Sequence, residues 1–236
     1  MELLPYQQAA ADLSRIEPLL MVEHAPRIGM TFSFAEEAVA TASGDDAHNV
    51  IYLAPQPEMA AEFMGQCFHL AKQGGVGSSE IGTRLVEGGI VLVLDFPTGK
   101  TIRASVADMV DLRGAVALVI IDQAAFVPNL DTLIDQALPM CMFGGRIVLL
   151  SRHSKEPHNF FHALMDEAIA ANIPGCAMRV PIGRAIDDGL FRRICDLKGV
   201  EWTQDAQYAW ERQLHHMFGA DAKAELDLMR EANGHA

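Results

Sequence analysis

The feature that most constrains the fold of this chain is the run from Ala117 to Ile121, which ends at Asp122. Five consecutive aliphatic residues are typical of a strand buried on both faces, because a half-buried strand alternates apolar and polar residues. Strands of this kind occur in parallel sheets, and ligands bind beyond their carboxyl ends. The run therefore predicts a buried central strand over 116–121 that delivers the Asp122 carboxylate to a ligand-binding edge.

Asp122 and the residue after it have the positions of a catalytic pair. In nucleoside triphosphatases, an aspartate at the end of such a strand holds the Mg²⁺ of the nucleotide, and a following glutamate usually activates the attacking water. In this chain the following residue is Gln123. The alternative is a core strand whose last residue is polar by chance, and this run alone does not separate the two.

Composition limits the classes of protein to consider. The chain has 236 residues, half of them hydrophobic, which is enough for the core of one α/β domain, although two small domains stay open. A formal net charge of -13 argues against a surface that mainly coats nucleic acid but leaves room for a local basic groove. Without a signal-peptide pattern or a run of about 18 apolar residues, we expect a cytoplasmic protein that does not span a membrane. Four widely spaced cysteines without a C-x-x-C pair fit reduced thiols in that compartment.

The hydrophobic periodicity predicts strands and helices that alternate along most of the chain. Besides the central strand, strands are predicted over 18–24, 49–54, 90–95, 101–106, 146–150 and 176–180. Helices are predicted over 5–13, 32–41, 58–73, 130–138, 158–171, 205–217 and 220–231. This order predicts one mainly parallel sheet flanked by helices, in which the strands ending near His24 and Asp122 are adjacent. It also predicts a single domain over 1–236, with an α/β core over 1–182 and a helical C-terminal tail over 183–236.

The loop over 23–31 follows the first predicted strand and has part of a phosphate-binding pattern. Such a loop needs a glycine for close backbone approach, a cation for the β- and γ-phosphates and a hydroxyl for Mg²⁺. Gly29 and Thr31 meet two of these needs, whereas Met30 stands where a G-K-T loop has its lysine, and Arg27 is the strong cation of the loop. An ordinary strand-to-helix turn with a glycine at its bend explains the same residues.

A second motif, over 98–101, resembles the end of a phosphate loop but is expected to have another role. The earlier glycine that the pattern requires would fall on Leu94, and the residues after Thr101 alternate as in a strand. Lys100 is therefore predicted at the tip of a hairpin between two neighbouring strands.

Two further polar groups have open interpretations. Ser151 follows the strand over 146–150, and in ATP-driven translocases a hydroxyl at this point can sense the γ-phosphate and couple the nucleotide state to a neighbouring site. The alternative is a strand end capped by polar residues. His158 and His162 are spaced as on one helix face, but with no third ligand nearby in sequence they are predicted to lie on a solvated face rather than to bind a metal.

The order of these stretches resembles that of the large terminase subunit of tailed phages, in particular its Mu-like branch. The matching words are Leu4-Pro-Tyr-Gln7, Arg27-Ile-Gly-Met-Thr-Phe32, Val50-Ile-Tyr-Leu-Ala-Pro55, Leu112-Arg-Gly114, Ile121-Asp-Gln-Ala-Ala-Phe126, Gly144-Gly-Arg-Ile-Val148 and Ser151-Arg-His-Ser154. The tail words Trp202-Thr-Gln204, Trp210 and Glu225-Leu-Asp227 match as well. The resemblance runs from about Leu3 to Asp227, and its specificity comes from order and spacing because each motif is short.

The resemblance implies a RecA-like P-loop nucleoside triphosphatase fold and the ATPase domain of a DNA-packaging motor that uses ATP and Mg²⁺. The resemblance implies that Tyr6 and Gln7 contact the adenine and that Arg27, Gly29 and Thr31 contact the phosphates. It implies that Thr31 and Asp122 bind Mg²⁺ and that Asp122, Gln123 and Arg27 take part in catalysis. Ser151 would lie at the coupling turn. It implies double-stranded DNA, a portal, a small terminase subunit or a separate nuclease subunit as partners, in the host cytoplasm if the protein is phage-encoded. It leaves open whether copies of the chain assemble.

The chain departs from the family pattern where hydrolysis needs it most. The family's lysine lies early in the loop, where His24 or Ala25 stands, or at the position of Met30, and none of these is a lysine. The family's catalytic glutamate is replaced by Gln123, which can hold a water but cannot accept its proton. Losing a general base alone costs about 10²–10⁴-fold in rate, so weak or absent hydrolysis is expected. Complete large terminases continue into an RNase H-like nuclease, which these 236 residues do not resemble, so no nuclease domain and no DNA cleavage are expected here.

Two functions from different classes remain. The chain is either a terminase-type motor ATPase or a catalytically retired relative that keeps the fold as a nucleotide-binding or protein-interaction module. Thr31 and Asp122 favour retained binding of a Mg²⁺-nucleotide, whereas Met30 and Gln123 favour retirement. The source of an arginine finger acting in trans stays open among Arg103, Arg113, Arg146 and Arg152.

Overall fold

The computed structural model describes residues 2–86, 89–107, 112, 115–156 and 158–229. The strands are β1 Leu19–His24, β2 Asn49–Ala54, β3 Gly82–Val86, β4 Gly89–Asp95, β5 Thr101–Val106, β6 Ala117–Asp122, β7 Arg146–Ser151 and β8 Ala177–Val180. The helices are α1 Pro5–Ile16, α2 Met30–Ser43, α3 Pro57–Gln73, α4 Leu130–Cys141, α5 Phe160–Ala170, α6 Ile182–Asp187, α7 Leu190–Lys198, α8 Gln204–Phe218 and α9 Ala222–Glu225.

The described strands form one eight-stranded sheet in the order β3-β4-β5-β2-β6-β7-β1-β8. Neighbouring strands pair in parallel along the part β5-β2-β6-β7-β1-β8. The remaining two strands are antiparallel: β4 pairs with β5, and β3 pairs with β4. The predicted mainly parallel sheet flanked by helices is therefore confirmed. Within the described part of the chain, no helix is long and apolar enough to cross a bilayer.

The predicted adjacency of the strands that end at His24 and Asp122 is wrong, because β7 lies between β1 and β6. Glu23 on β1 is paired with Ser151, and Asp122 on β6 is paired with Leu150. The order of strands in a parallel sheet is set by the crossover connections, which local periodicity does not specify. The carboxyl ends of β1, β7 and β6 still meet at one edge of the sheet, so the ligand-binding edge predicted from the sequence is retained.

The central strand β6 is buried on both faces, as its unbroken aliphatic run predicts. Leu118 and Ile120 pack into the core cluster that includes residues of α1, α2 and α3, whereas Val119 and Ile121 pack into the cluster that includes residues of α4 and α5. Successive side chains of a strand point to opposite faces, so β6 contributes to both cores. This double burial fixes the position of Asp122 at the end of the strand.

The strands β4 and β5 form the predicted hairpin, with Lys100 at its tip. The Phe96 N–H donates to the Lys100 carbonyl, and the Thr98 hydroxyl donates to the Ala42 carbonyl near the end of α2. Because β5 begins at this tip and runs parallel to β2, the tip lies at the amino-terminal edge of the parallel strands. Lys100 is therefore on the edge of the sheet opposite Asp122.

Some elements differ from the sequence predictions. The edge strand β3 is not predicted, and all five of its residues are exposed. His158 lies outside α5, which begins at Phe160. Where a helix is predicted over 220–231, the described residues form only the short α-helix α9, and 230 and 231 lie outside the described residues. Arg113 and Gly114 also lie outside the described residues.

Candidate functional site

The loop between β1 and α2 makes a tight turn from strand to helix. Arg27 and Gly29 have left-handed φ angles of 62° and 78°, and Gly29 is the N-cap residue of α2. A Cβ atom on Gly29 would lie 2.8 Å from the Gln7 Nε2, so both the φ angle and the space favour glycine. The amino terminus of the 14-residue helix α2 presents free N–H groups and the positive end of the helix dipole, which suit a phosphate.

Tyr6 and Gln7 hold this loop from the side of α1. The Tyr6 hydroxyl donates to the Ile28 carbonyl, and the Gln7 Nε2 donates to the Ile28 and Gly29 carbonyls at 3.2 and 2.9 Å. Burial raises the pKa of Tyr6, which keeps its hydroxyl protonated as a donor. Neither residue is among the described residues that line the neighbouring cavity, so their contact with an adenine stays a prediction.

Asp122 is the centre of a buried hydrogen-bond network at the end of β6. Its Oδ2 accepts from the Thr31 hydroxyl and from the Tyr52 hydroxyl, each at 2.8 Å, and its Oδ1 accepts from the Gln123 N–H at 2.7 Å. Burial, followed by the charge of Asp122, raises the pKa of Tyr52, so Tyr52 remains a donor to the carboxylate. The fold thus brings together Thr31 and Asp122, which are 91 residues apart in the chain.

Gln123 begins the turn that follows β6. It has a left-handed φ of 52° and precedes a short 3₁₀ turn over Ala124–Phe126. Its side chain lines the cavity in front of Asp122. The amide can donate and accept hydrogen bonds but does not take up a proton near neutral pH.

A cavity of about 810 Å³ opens at this edge of the sheet. The loop between β1 and α2 and the first turn of α2 form one part of its wall, and the start of α3 and the segment after β6 form another. The described lining includes Thr31, Gln123 and Phe126. The arginine side chains in this lining are Arg27 and Arg152. The volume falls within the range of sites for small molecules and cofactors. We refer to this space as the nucleotide cavity, after the ligand proposed below.

The three residues at which the resemblance would place a lysine, His24, Ala25 and Met30, are all buried. His24 is 5% exposed, and its Nδ1 lies 2.9 Å from the Ala25 carbonyl, which can only accept, so Nδ1 carries the proton of the neutral ring. Burial lowers the pKa of His24, so the ring is neutral near pH 7. Met30 is 1% exposed and belongs to the core cluster, where its sulfur lies 3.6 Å from the Ser33 Oγ.

Ser151 connects the end of β7 to the turn that follows Gln123. Its Oγ accepts from the Ala125 N–H at 3.1 Å and donates to the Arg152 carbonyl at 3.0 Å. The Asn159 Nδ2 donates to the Ala125 carbonyl at 2.8 Å from the other side of the turn. Ser151 is buried and is not among the described cavity-lining residues, so its contact with a γ-phosphate stays a prediction. Its hydrogen bond to the turn gives the coupling hypothesis a physical connection.

A second polar cluster, formed by Glu23, His153 and His162, lies beside the loop. The Glu23 Oε1 is 3.4 Å from the His162 Nδ1 and 3.9 Å from the His153 Nδ1, and its Oε2 accepts from the Arg179 Nε at 3.0 Å. The prediction that His162 lies on a solvated face is wrong, because its side chain is 7% exposed and points from α5 toward Glu23. His158, outside the helix, does not share its face.

The geometry of this cluster resembles a metal site, but its protonation does not fit one. The Ser154 N–H donates to the His162 Nε2 at 3.0 Å, so Nε2 is an acceptor and Nδ1 carries the ring proton toward Glu23. A histidine that binds a metal through Nδ1 would instead use Nε2–H as a donor. We therefore interpret the cluster as a polar link from the end of β1 to α5 and the turn after β7, with Arg179 as the ionic partner of Glu23.

Comparison with known proteins gives two similar sequences, while no family model matches the chain. "Mu-like prophage FluMu protein gp28" of Haemophilus influenzae is 29% identical over 220 residues, which cover 90% of this chain and 42% of that protein. "Probable terminase, large subunit gp28" of Escherichia phage Mu is 28% identical over 208 residues, which cover 84% of this chain and 38% of that protein. The chain therefore spans less than half the length of these relatives.

The solved structures with a similar fold are large terminases. That of a thermophilic bacteriophage has a TM-score of 0.62 at 13% identity and covers 94% of this chain and 52% of its own. That of bacteriophage HK97 has a TM-score of 0.59 at 18% identity, and the match covers 76% of this chain and 39% of the HK97 chain. The large terminase ATPase domain of Thermus phage P74-26 has a TM-score of 0.51 at 15% identity, and the match covers 88% of this chain and 96% of that domain.

These likenesses show the fold, which is the RecA-like fold of terminase ATPase domains. Combined with the sequence matches to the two gp28 proteins, they confirm the resemblance of this chain to large terminase subunits of the Mu-like branch.

Proposed function

We propose that this chain is a terminase-type ATPase domain that binds a Mg²⁺-nucleotide in the nucleotide cavity and hydrolyses it slowly or not at all. The observation that carries the proposal is the 2.8 Å hydrogen bond between the Thr31 hydroxyl at the start of α2 and the Asp122 carboxylate at the end of β6. In P-loop nucleoside triphosphatases these two groups hold the nucleotide-bound metal.

The donor set at this position fits Mg²⁺. Thr31 and Asp122 supply a hydroxyl and a carboxylate oxygen, and Mg²⁺ commonly uses one or two protein oxygens together with phosphate oxygens and waters. The ion, when bound, would neutralise charge on the β- and γ-phosphates. Tyr52 fixes the carboxylate of Asp122 from the side of β2. Structures of a large terminase from a thermophilic bacteriophage in complex with ADP and with ATP-gamma-S support a nucleotide as the ligand.

Slow hydrolysis follows from three side chains of the cavity. Gln123 can orient a water but cannot take its proton. His24 is a neutral imidazole and Met30 is an apolar core residue, so neither supplies the point charge of a phosphate-loop lysine. If turnover is absent, nucleotide binding itself would be the activity, with the chain acting as an interaction or regulatory module.

The partners of the proposed domain follow from the same resemblance. They would be double-stranded DNA, a portal, a small terminase subunit or a separate nuclease subunit, and their binding would respond to the nucleotide state of the cavity. The hydrogen bond between Ser151 and Ala125 would transmit that state from the cavity to the turn after β7.

The test is equilibrium binding of ADP and ATP-gamma-S with and without Mg²⁺. We expect Mg²⁺ to tighten binding, and Thr31→Val to remove most of that gain because it deletes the hydroxyl while keeping the shape of the side chain. The matched control is Thr98→Val, which removes a hydroxyl on the opposite edge of the sheet and should bind as the unmodified chain does. Equal binding by all three proteins in both conditions would rule out the Thr31–Asp122 site.

A further inference from the structure

The proposed cavity needs positive charge for a triphosphate, and the loop between β1 and α2 supplies little of it. Asp122 already places a carboxylate behind the cavity, and the γ-phosphate of a bound nucleotide adds further negative charge. His24 is neutral, because burial lowers its pKa by more than the Ala25 carbonyl and the charges of Asp122 and Glu23 raise it. Arg27 is the cation of the loop itself.

The register of the sheet places a second arginine between the two halves of the site. Ser151 is paired with Glu23 on one side, and Leu150 is paired with Asp122 on the other. Arg152 directly follows Ser151, so it leaves the sheet between the end of β1 and the turn at Gln123. Its side chain lines the nucleotide cavity.

The guanidinium of Arg152 is held in position rather than being free in solvent. The guanidinium Cζ lies 4.3 Å from the centre of the Phe126 ring. The backbone carbonyl of Arg152 accepts a hydrogen bond from the Ser151 hydroxyl. A guanidinium stacks on an aromatic face through its own plane, which leaves its N–H groups available at the edges. Among the described residues, no carboxylate forms a salt bridge with Arg152. Its charge is therefore available to an anionic ligand.

We propose that Arg152 is a phosphate-binding residue, which contacts the terminal phosphate of a nucleoside triphosphate from the end of β7 in place of a lysine on the loop. This inference rests on the proposed function and adds a specificity to it. In the proposed binding mode the β-phosphate would lie against the amino terminus of α2, and the γ-phosphate would face Gln123 and the end of β7. Arg152 thus distinguishes a triphosphate from a diphosphate.

The test compares Arg152→Gln with Arg192→Gln in equilibrium binding of Mg²⁺ complexes of ATP-gamma-S and ADP. Arg192 is the matched control because its Cζ also lies over an aromatic ring, that of Trp202 at 4.1 Å, but outside the lining of the cavity. For Arg152→Gln we expect affinity for ATP-gamma-S to fall by about 10-fold to 100-fold, the range of hydrogen bonds to a charged group, with less than about 3-fold change for ADP. Arg192→Gln should leave both affinities unchanged.

Two conservative variants separate the charge from its support. Arg152→Lys keeps the charge and should retain part of the preference for ATP-gamma-S, whereas Phe126→Leu keeps the arginine but removes the ring that orients it and should weaken that preference less than Arg152→Gln does. Thermal unfolding checks that each variant is folded.

The outcomes distinguish this inference from the proposed function. If the unmodified chain binds both nucleotides and Arg152→Gln binds ATP-gamma-S equally well, the role of Arg152 is overturned while the nucleotide cavity stands. If Arg152→Gln loses affinity for ADP and ATP-gamma-S to the same extent, the contact with the terminal phosphate is overturned. If the unmodified chain binds neither nucleotide, both proposals are overturned.

Discussion

At the residue scale, the proposed slow hydrolysis depends mainly on Gln123 and His24. Gln123 keeps the length and shape of a glutamate but has lost its basicity. His24 stands at the early loop position to which the resemblance assigns a lysine, yet it is buried and neutral. In the proposed site these two positions would act on one transition state, so restoring only one of them should have little effect.

The corresponding prediction concerns Gln123→Glu and His24→Lys in steady-state ATPase assays with Mg²⁺. Each single change should raise the rate by less than about 3-fold, and the double variant by about 10²-fold or more, the scale of a restored general base. The double variant of Gln123→Glu with Met30→Lys should fail to match it, because Met30, unlike His24, packs in the hydrophobic core cluster, where a lysine would be costly. A gain of about 10²-fold from Gln123→Glu alone would contradict the account, as would robust hydrolysis by the unmodified chain that Asp122→Ala abolishes.

Local sequence patterns identify part of this site. Gly29 and Thr31 follow from the chemistry of phosphate loops, and Asp122 follows from the aliphatic strand that precedes it. The structure places the Thr31 and Asp122 side chains in contact. Tyr52 and Glu23 are not found from the sequence, because each lies in a buried strand and its polar partner is defined only by the arrangement of strands. A polar side chain near the carboxyl end of an otherwise apolar strand is the signal that could have identified both.

At the element scale, the loop between β1 and α2 depends on one glycine and on its anchor in α1. Gly29 has a left-handed φ, and a side chain at this position would displace the Gln7 Nε2 that holds its carbonyl. Gly99, at the tip of the β4–β5 hairpin, has nearly the same φ of 76° but open space around it. The two glycines therefore separate the cost of the backbone conformation from the cost of the contact.

We predict that Gly99→Ala lowers the free energy of unfolding by about 1–2 kcal/mol, the cost of a left-handed residue with a side chain. Gly29→Ala should lower it further, since the added Cβ would lie 2.8 Å from the Gln7 Nε2, and it should also weaken nucleotide binding. Urea unfolding and nucleotide titration of both variants measure these effects. Equal losses of stability and unchanged nucleotide binding in the two variants would show that the contact with Gln7 does not shape the loop.

The predictability of the elements has a clear limit. Hydrophobic periodicity locates β1, β2, β6 and β7 to within a residue or two, because their burial is expressed in the local sequence. The insertion of β7 between β1 and β6 is not expressed there, since it depends on how the crossover connections pack. Hydrophobic periodicity does not predict the exposed strand β3 either, because β3 has no buried face that would impose a pattern on its sequence.

At the scale of the whole molecule, the two core clusters enclose the sheet and the tail joins one of them. Leu226 is fully buried in the cluster that contains α1, α2 and α3, and its carbonyl accepts from the Ile182 N–H at 2.8 Å. Trp210 and Leu214 of α8 pack against the same cluster. These contacts support the proposal that the core over 1–182 and the tail over 183–236 form a single domain.

The burial of neutral His24 predicts a pH dependence of the stability of this domain. The pKa of His24 is lowered in the folded state, so below about pH 6.5 the unfolded chain binds a proton that the folded chain does not, and stability falls as the pH decreases. Between about pH 8 and about pH 5.5, the unmodified chain should lose about 1 kcal/mol more than His24→Gln in urea unfolding. The same loss in both proteins would mean that His24 does not contribute to this pH dependence.

The most direct test of the central claim is a crystal structure of the chain with Mg²⁺ and ATP-gamma-S. We predict that the triphosphate lies at the amino terminus of α2 and that Arg152 turns toward its terminal phosphate. Mg²⁺ should lie about 2.0–2.1 Å from the Thr31 Oγ1 and contact the Asp122 carboxylate directly or through a water. A nucleotide bound elsewhere, or a nucleotide cavity that stays empty at saturating ligand while Thr31 remains hydrogen-bonded to Asp122, would contradict this prediction.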